Sequence, residues 1–233
     1  MDTILFAQNL GKKFFNNKAL DGFNIKVPIG SIVGLLGPNG SGKTTFMKIA
    51  AGLIKPSYGE IKIGGHEPGI ITKSMVSYLP DTQHLYKWMR IADAIDFYDD
   101  MYDDFDRSKC MELLKFMNLT KDNKVTALSK GMYEKATLTL GLSRNAKLYI
   151  FDEPLGGIDP VAREKIMDAI ISNFRTDCSF LISTHLVNDI ERLFDRVTFI
   201  SNGKAILEDN AEELREEKGK SIDDIYKEVF QDV

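Results

Sequence analysis

Cysteine is nearly missing from this chain: 233 residues hold only Cys110 and Cys178, far apart and with no histidine in ligand spacing. That scarcity excludes a disulfide framework or a Cys/His metal site and predicts idle thiols in a reducing compartment. Positive charge is not in surplus either. The 30 basic and 34 acidic side chains leave a formal charge of −4, which speaks against a nucleic-acid groove. No apolar run approaches the ~20 residues needed to cross a bilayer. The opening residues MDTILFAQNL carry an acid where a leader would carry positive charge, so neither a membrane span nor secretion is expected. Internal repeats, low-complexity stretches and Pro/Ser-rich linkers are absent as well. What remains is ordinary globular composition, 43% apolar and 27% charged, at a length that suits one sizeable domain.

Short β-branched runs recur along the chain, at Thr3–Ala7, Ser31–Leu36, Glu60–Ile63, Val76–Leu79, Leu148–Phe151, Ser179–Ser183 and Val197–Ile200. The central ones are apolar throughout rather than alternating, as strands covered on both faces should be. Helical patterns over Lys43–Leu53, Pro160–Phe174 and Leu186–Phe194 separate some of them. Strand and helix in alternation predict a layered α/β fold around a largely parallel sheet. Between Leu79 and Leu148 the pattern turns helical, at Ile91–Tyr102, Arg107–Met117 and Gly131–Ser143, which predicts a helical insert. Its acidic run (Asp99, Asp100, Asp103, Asp104 and Asp106) reads as a solvated helix face and turn rather than a metal site. Two further helices, charged at Ala211–Glu217 and amphipathic at Ile222–Phe230, close the pattern.

The segment Gly37-Pro38-Asn39-Gly40-Ser41-Gly42-Lys43-Thr44-Thr45 fits G-x-x-x-x-G-K-[ST] and lies between an apolar strand and a helix. Its glycines let backbone N–H groups turn inward around a phosphate, and the helix N-terminus adds unsatisfied donors and positive partial charge. Lys43 can reach the β- and γ-phosphates, and the Thr44 hydroxyl can take a Mg²⁺ position. By itself the loop says nucleoside triphosphate and no more. Downstream, the strand Lys147–Phe151 runs into Asp152 and Glu153. An acid at a strand end beside the loop can hold Mg²⁺ through water, which suits Asp152. Glu153, one residue on, can orient or deprotonate a water in line with the γ-phosphate.

Two more motifs complete the set: Leu128-Ser129-Lys130-Gly131-Met132 at the head of a helix, and Ser183-Thr184-His185 at the end of an apolar strand. With these, the chain resembles the ATP-binding subunit of the ATP-binding cassette (ABC) transporter family over about residues 3 to 225. The resemblance implies a P-loop NTPase core with a largely parallel sheet, an antiparallel β subdomain and an inserted helical subdomain. The core would span 1–80 and 146–233, and the insert 81–145. It further implies that Phe14 stacks on adenine and that Ser129 and Gly131 reach the γ-phosphate held by a second cassette. Asp159 would sit in the loop linking the two sites, and His185 would contact the γ-phosphate. ATP and Mg²⁺ are the implied cofactors. The implied partners are a second ATPase subunit, identical or different, and a polytopic membrane permease that holds the chain on the cytoplasmic face of the membrane.

Two positions depart from the family pattern. The signature reads LSKGM rather than LSGGQ, but Ser129 and Gly131 remain and activity is expected to survive. Where the family carries a metal-binding glutamine, Tyr78-Leu79-Pro80 leads into Asp81, with Gln83 out of register. Asp81 is the expected metal ligand. The following His84–Met89 stretch borders the groove that in the family receives a short helix of the membrane subunit. Tyr86 and Trp88 there suit either such an interface or core packing. The motifs resemble those of bacterial exporter ATPases for peptides, antimicrobials or hydrophobic drugs. The alternatives are a non-transport ABC ATPase acting on ribosomes or DNA, and an ATP-binding regulatory subunit.

Overall fold

The structure is a computed structural model, which describes residues 2–231. The chain opens with a long hairpin, β1 (Thr3–Phe14) and β2 (Asn17–Pro28). The sequence reading finds only the first part of β1 and misses β2. Both strands run on because register shifts let β1 stay paired, with β2 along its length and with β4 from Leu5 to Gly11. Next come β3 (Ile32–Leu36), α1 (Lys43–Ala50), β4 (Tyr58–Ile63), the unforeseen α2 (Ile70–Met75) and β5 (Val76–Leu79). Helix α1 stops short of the expected Leu53 because Gly52, at φ 68°, turns the chain left-handed after its last turn.

Helices α3 (Ile91–Met101), α4 (Arg107–Phe116) and α5 (Lys130–Leu142) stand between β5 and the next strand. The chain then alternates through β6 (Leu148–Asp152), α6 (Pro160–Asn173), β7 (Ser179–Thr184), α7 (Val187–Ile190), β8 (Arg196–Ser201) and β9 (Lys204–Asn210). It ends with α8 (Ala211–Lys218) and α9 (Ile222–Val229). The helix expected over Leu186–Phe194 is shorter: α7 gives way to a 3₁₀ turn at Glu191–Leu193.

Two sheets result. One is antiparallel, in the order β2-β1-β4; the other has six strands in the order β5-β6-β7-β3-β8-β9, parallel except for β9. All residues of β3, β6 and β7 are buried, as expected for strands with apolar centres covered on both faces; the buried polar residues Asp152, Ser179, Ser183 and Thr184 sit at strand ends. One core fills the face carrying the helical insert, α6, α7 and α9, and includes both buried cysteines. The other lies between the two sheets and around α1. Among the described residues no helix is long and apolar enough to cross a membrane, and no cluster of acids, histidines and cysteines has the makings of a metal site.

The acidic run is not uniformly solvated, which corrects the sequence reading. Asp96 and Asp99 pair with Arg107 on the surface, and Asp106 caps α4 by accepting from the Lys109 N–H at 2.9 Å. Asp104 instead receives the Arg144 guanidinium, Nε to Oδ1 at 2.8 Å and Nη2 to Oδ2 at 3.1 Å. Arg144 is buried, donates also to the carbonyls of Val76 and Ser74, and stacks under Tyr102. This cluster ties the helical insert to the start of β5.

Candidate active site

Strand register decides where the chemistry gathers. In the parallel sheet Leu36 lies opposite Thr184, and Asp152 opposite Ser183. The segments leaving β3, β6 and β7 therefore emerge side by side at one sheet edge, where ligands of open α/β sheets are bound. They carry Gly37–Gly42, Glu153 and His185 respectively.

The turn out of β3 needs its glycines. At Gly42, φ is 113° and a Cβ would sit 2.5 Å from the Ala19 carbonyl oxygen. Gly40 is also left-handed, at φ 82°, but points into open space. Ser41 is buried, and its N–H donates to the Pro38 carbonyl at 3.2 Å. Lys43 folds back over the turn: its Nζ donates to the carbonyls of Gly37 (2.7 Å) and Pro38 (3.2 Å) and lies 3.4 Å from Glu153 Oε1. A buried ammonium at a glycine-rich turn that opens a helix N-terminus suits a polyanion.

The two acids are held differently. Asp152 is only 1% exposed; Ser183 Oγ donates to its Oδ1 at 2.6 Å, while among the described residues its buried Oδ2 has no hydrogen-bond partner. Burial pushes its pKa above the ordinary carboxylate range, partly offset by the Ser183 and Thr44 hydroxyls, with Asp81 and Glu153 adding to the rise. A free carboxylate oxygen in that position, beside Thr44, fits a divalent cation or its water. Glu153 sits at φ 52°, a left-handed conformation that costs about 1–2 kcal/mol for a non-glycine residue. Its N–H holds that turn by donating to Ser183 O (3.2 Å) and Ser183 Oγ (3.0 Å). Its Oε2 accepts from the His185 N–H at 3.3 Å and lies 2.9 Å from His185 Nδ1. Lys43, Glu153 and His185 thus form one chain of contacts across the mouth of the loop.

Lys43 and Glu153 line a cleft of ≈ 420 Å³; Asp152 and His185 are not among its lining residues and reach it through Thr44 and Glu153. Asn39, Gly40, Gly42, Lys43, Thr44 and Thr45 line it together with Phe14, Asp81 and Glu153. Gly37, Pro38 and Ser41 do not line it; Lys43 bonds the carbonyls of the first two. Phe14 is 44% exposed with Lys12 Nζ 4.9 Å from its ring centroid, so it is not a core residue. Asp81 lines the cleft and Gln83 does not, which separates the two alternatives by position.

Ser129, Gly131 and Asp159 lie outside this cleft. Ser129 is exposed at the head of α5, where its Oγ accepts from the Met132 N–H at 3.3 Å. Gly131 packs against Ile158 and Asp159. Asp159 caps α6, accepting from the Ala162 N–H at 3.0 Å. Tyr86 and Trp88 are 60% and 72% exposed and stack on each other, which excludes core packing.

Several residues of the site escape the sequence reading. Asn17, Lys18 and Ala19 line the cleft from the start of β2, and Asn202 and Gly203 from the β8–β9 turn. An Asn-Gly pair between apolar runs is a legible hairpin signal for the latter. Ser183 stands in the Ser183-Thr184-His185 motif, but its bonds to the Asp152 carboxylate and the Glu153 N–H, like the Arg163 bond to the Ile158 carbonyl and its pair with Asp189, have no local signal.

Residues 20–156 match the sequence profile of the ABC transporter family. The lantibiotic transport ATP-binding protein SrtF of Streptococcus pyogenes is 32% identical, over 91% of this chain and 95% of its own. The SkfA peptide export ATP-binding protein SkfE of Bacillus subtilis is 32% identical over 86% and 87% of the two chains. The daunorubicin resistance ATP-binding protein DrrA3 of Streptomyces coeruleorubidus is 27% identical over 99% of this chain and 76% of its own. A solved ATP-binding subunit of an ABC transporter superposes with a TM-score of 0.87 at 26% identity, covering 97% and 99% of the chains. The profile match over residues 20–156, the relatives that are 32% identical along most of both chains and the shared fold place the chain in the ABC transporter family as an ATP-binding cassette with ATPase activity.

Proposed function

We propose that the chain binds Mg·ATP in this cleft, closes against a second cassette and drives a separate polytopic membrane subunit that exports peptides or hydrophobic antimicrobial compounds. The observation that carries this reading is the contact chain Lys43–Glu153–His185 across the mouth of the phosphate loop. Lys43 bonds the loop carbonyls and faces Glu153. An arriving triphosphate offers Lys43 denser negative charge, and Lys43 turns to the β- and γ-phosphates. Glu153 is then released to orient a water and accept its proton, while His185 keeps the carboxylate in place. The loop amides and Lys43 stabilise charge that develops on the phosphoryl oxygens. Phe14 stacks on adenine with little readout of the base.

Thr44, Asp152 through its unpartnered Oδ2, and Asp81 are the residues that would hold Mg²⁺. The ion, when bound, neutralises phosphate charge during transfer. Ser129 and Gly131 lie outside their own cleft, which suits donors that complete the site of a facing cassette, either a copy of this chain or a related one. Asp159, fixed as the cap of α6, lies in the loop that would link the two sites. The helical insert, residues 81–145, is the unit we expect to turn against the core (1–80 and 146–233) as the dimer closes. Exposed Tyr86 and Trp88 offer an aromatic platform to the membrane subunit, which would hold the chain on the cytoplasmic face of the membrane. Relatives named for lantibiotic transport, peptide export and daunorubicin resistance favour an amphipathic or hydrophobic cargo.

Glu153→Gln tests the reading. It keeps the size and hydrogen-bonding shape of the side chain but removes the base. With Mg·ATP it should retain nucleotide, lose turnover and accumulate a dimer on gel filtration; a variant that stays monomeric while saturated with ATP contradicts the closed-dimer mechanism.

A further inference from the structure

The segment that carries Asp81 has little to hold it. Residues 81–84 are exposed, and they follow Pro80, which has no N–H to donate. Among the described residues, one side chain outside the segment holds its backbone. The phenolic oxygen of Tyr133 accepts from the N–H of His84 at 2.7 Å and from the N–H of Leu85 at 2.9 Å. No other hydrogen bond joins residues 81–85 to the rest of the described chain. Tyr133 itself is 3% exposed, and the His84 ring packs edge-on against it with centroids 6.4 Å apart. A buried tyrosine tip normally seeks one partner; a phenol oxygen cradled by two consecutive amides is a stronger anchor.

The other end of this anchor matters equally. Tyr133 lies in the first turns of α5, where its N–H donates to the Ser129 carbonyl at 2.9 Å. One helical turn and one side chain therefore separate Ser129 from the backbone at His84 and Leu85, three and four residues past Asp81. We infer that Tyr133 is a positioning residue: its oxygen fixes the Asp81 segment to the signature helix, so that Asp81 meets the metal of its own cleft only when that helix is in place. The inference rests on the reading of Asp81 as a metal-facing carboxylate. It assigns to Tyr133 the role of linking the metal side of one site to the helix that serves the other.

Tyr133→Phe keeps the ring and removes only the acceptor, leaving two amides without a partner. Two measurements on the full chain are decisive. Hydrogen exchange at the His84 and Leu85 amides should quicken by about tenfold, the equivalent of one net hydrogen bond. The Mg²⁺ concentration for half-maximal ATPase activity should rise by a similar factor, while the rate at saturating Mg²⁺ changes less. Combining Tyr133→Phe with Asp81→Asn should raise that concentration no further than Asp81→Asn alone, because Tyr133 acts through Asp81. Tyr133→Phe that lowers thermal stability yet leaves both the exchange rates and the Mg²⁺ requirement unchanged overturns the inference, as does a double variant showing the product of the single effects. An Asp81→Asn chain with an unaltered Mg²⁺ requirement refutes the metal reading of Asp81 itself, and the inference falls with it.

Discussion

Replacing Asp104 by asparagine removes the charge facing a guanidinium that has almost no water. Arg144 is 2% exposed, whereas the Asp104 side chain is 25% exposed. Two unit charges near 3 Å interact by roughly 5 kcal/mol at an effective dielectric of 20, and part of that is already offset by desolvation in the native protein. The substituted amide keeps one acceptor oxygen, and the Val76 and Ser74 carbonyls still receive Arg144. Stranding a buried charge beside a neutral partner typically costs about 3–5 kcal/mol, so the partly exposed acid and the remaining carbonyls bring the expected loss to about 2–3 kcal/mol. At about 2–4 °C per kcal/mol for a chain of this size, the melting temperature should fall by roughly 4–12 °C. Urea titration and thermal unfolding followed by circular dichroism both read this out. A loss below about 0.5 kcal/mol would mean that Arg144 is held by the carbonyls and Tyr102 alone, and that the acid is incidental.

Other consequences are independent of that pair. Burial pushes the Glu134 carboxyl up to about 7, with Lys130 opposing and Asp81 adding. Because the native state favours the protonated form, stability should fall as pH rises from about 4.5 to 7 and then level; Glu134→Gln should gain about 2 kcal/mol above pH 7 and nothing near pH 4, so a pH-independent difference in urea midpoints refutes it. Gly42→Ala meets a carbonyl at 2.5 Å and a left-handed φ, so it should abolish ATP binding in a fluorescent-nucleotide titration. Gly40→Ala has open space and should cost only about 1 kcal/mol of backbone strain; equal effects at both positions contradict the geometry. Trp88→Ala removes a 72% exposed ring, so it should leave stability within about 0.5 kcal/mol while reducing capture of the membrane subunit; unchanged capture removes Trp88 from the interface.

The readable part of the sequence is its local chemistry. Buried parallel strands are apolar without a break over stretches such as Leu148–Phe151, and the phosphate loop announces itself by spacing, so the core and the loop residues of the cleft are legible. The strand β2 is not. Its polar and apolar residues alternate imperfectly, and it exists because β1 offers a partner along its whole length. Asp104 looks like its acidic neighbours because its distinction lies in Arg144, 40 residues away. The same limit hides Ser183 and Tyr133, whose roles come from what the fold brings opposite them. Gly40 and Gly42 look alike in sequence, yet of the two only Gly42 lies against another backbone. Asp81 can be placed in sequence by its neighbours, but only the cleft distinguishes it from Gln83.

The central claim is that Glu153, held between Lys43 and His185, activates the water that cleaves ATP. A single-turnover experiment measures this directly: purified chain is mixed with Mg·ATP, quenched, and the retained nucleotide identified. The account predicts ADP and released phosphate from the native chain and intact, tightly held ATP from Glu153→Gln. ADP formed by Glu153→Gln at the native rate would contradict it.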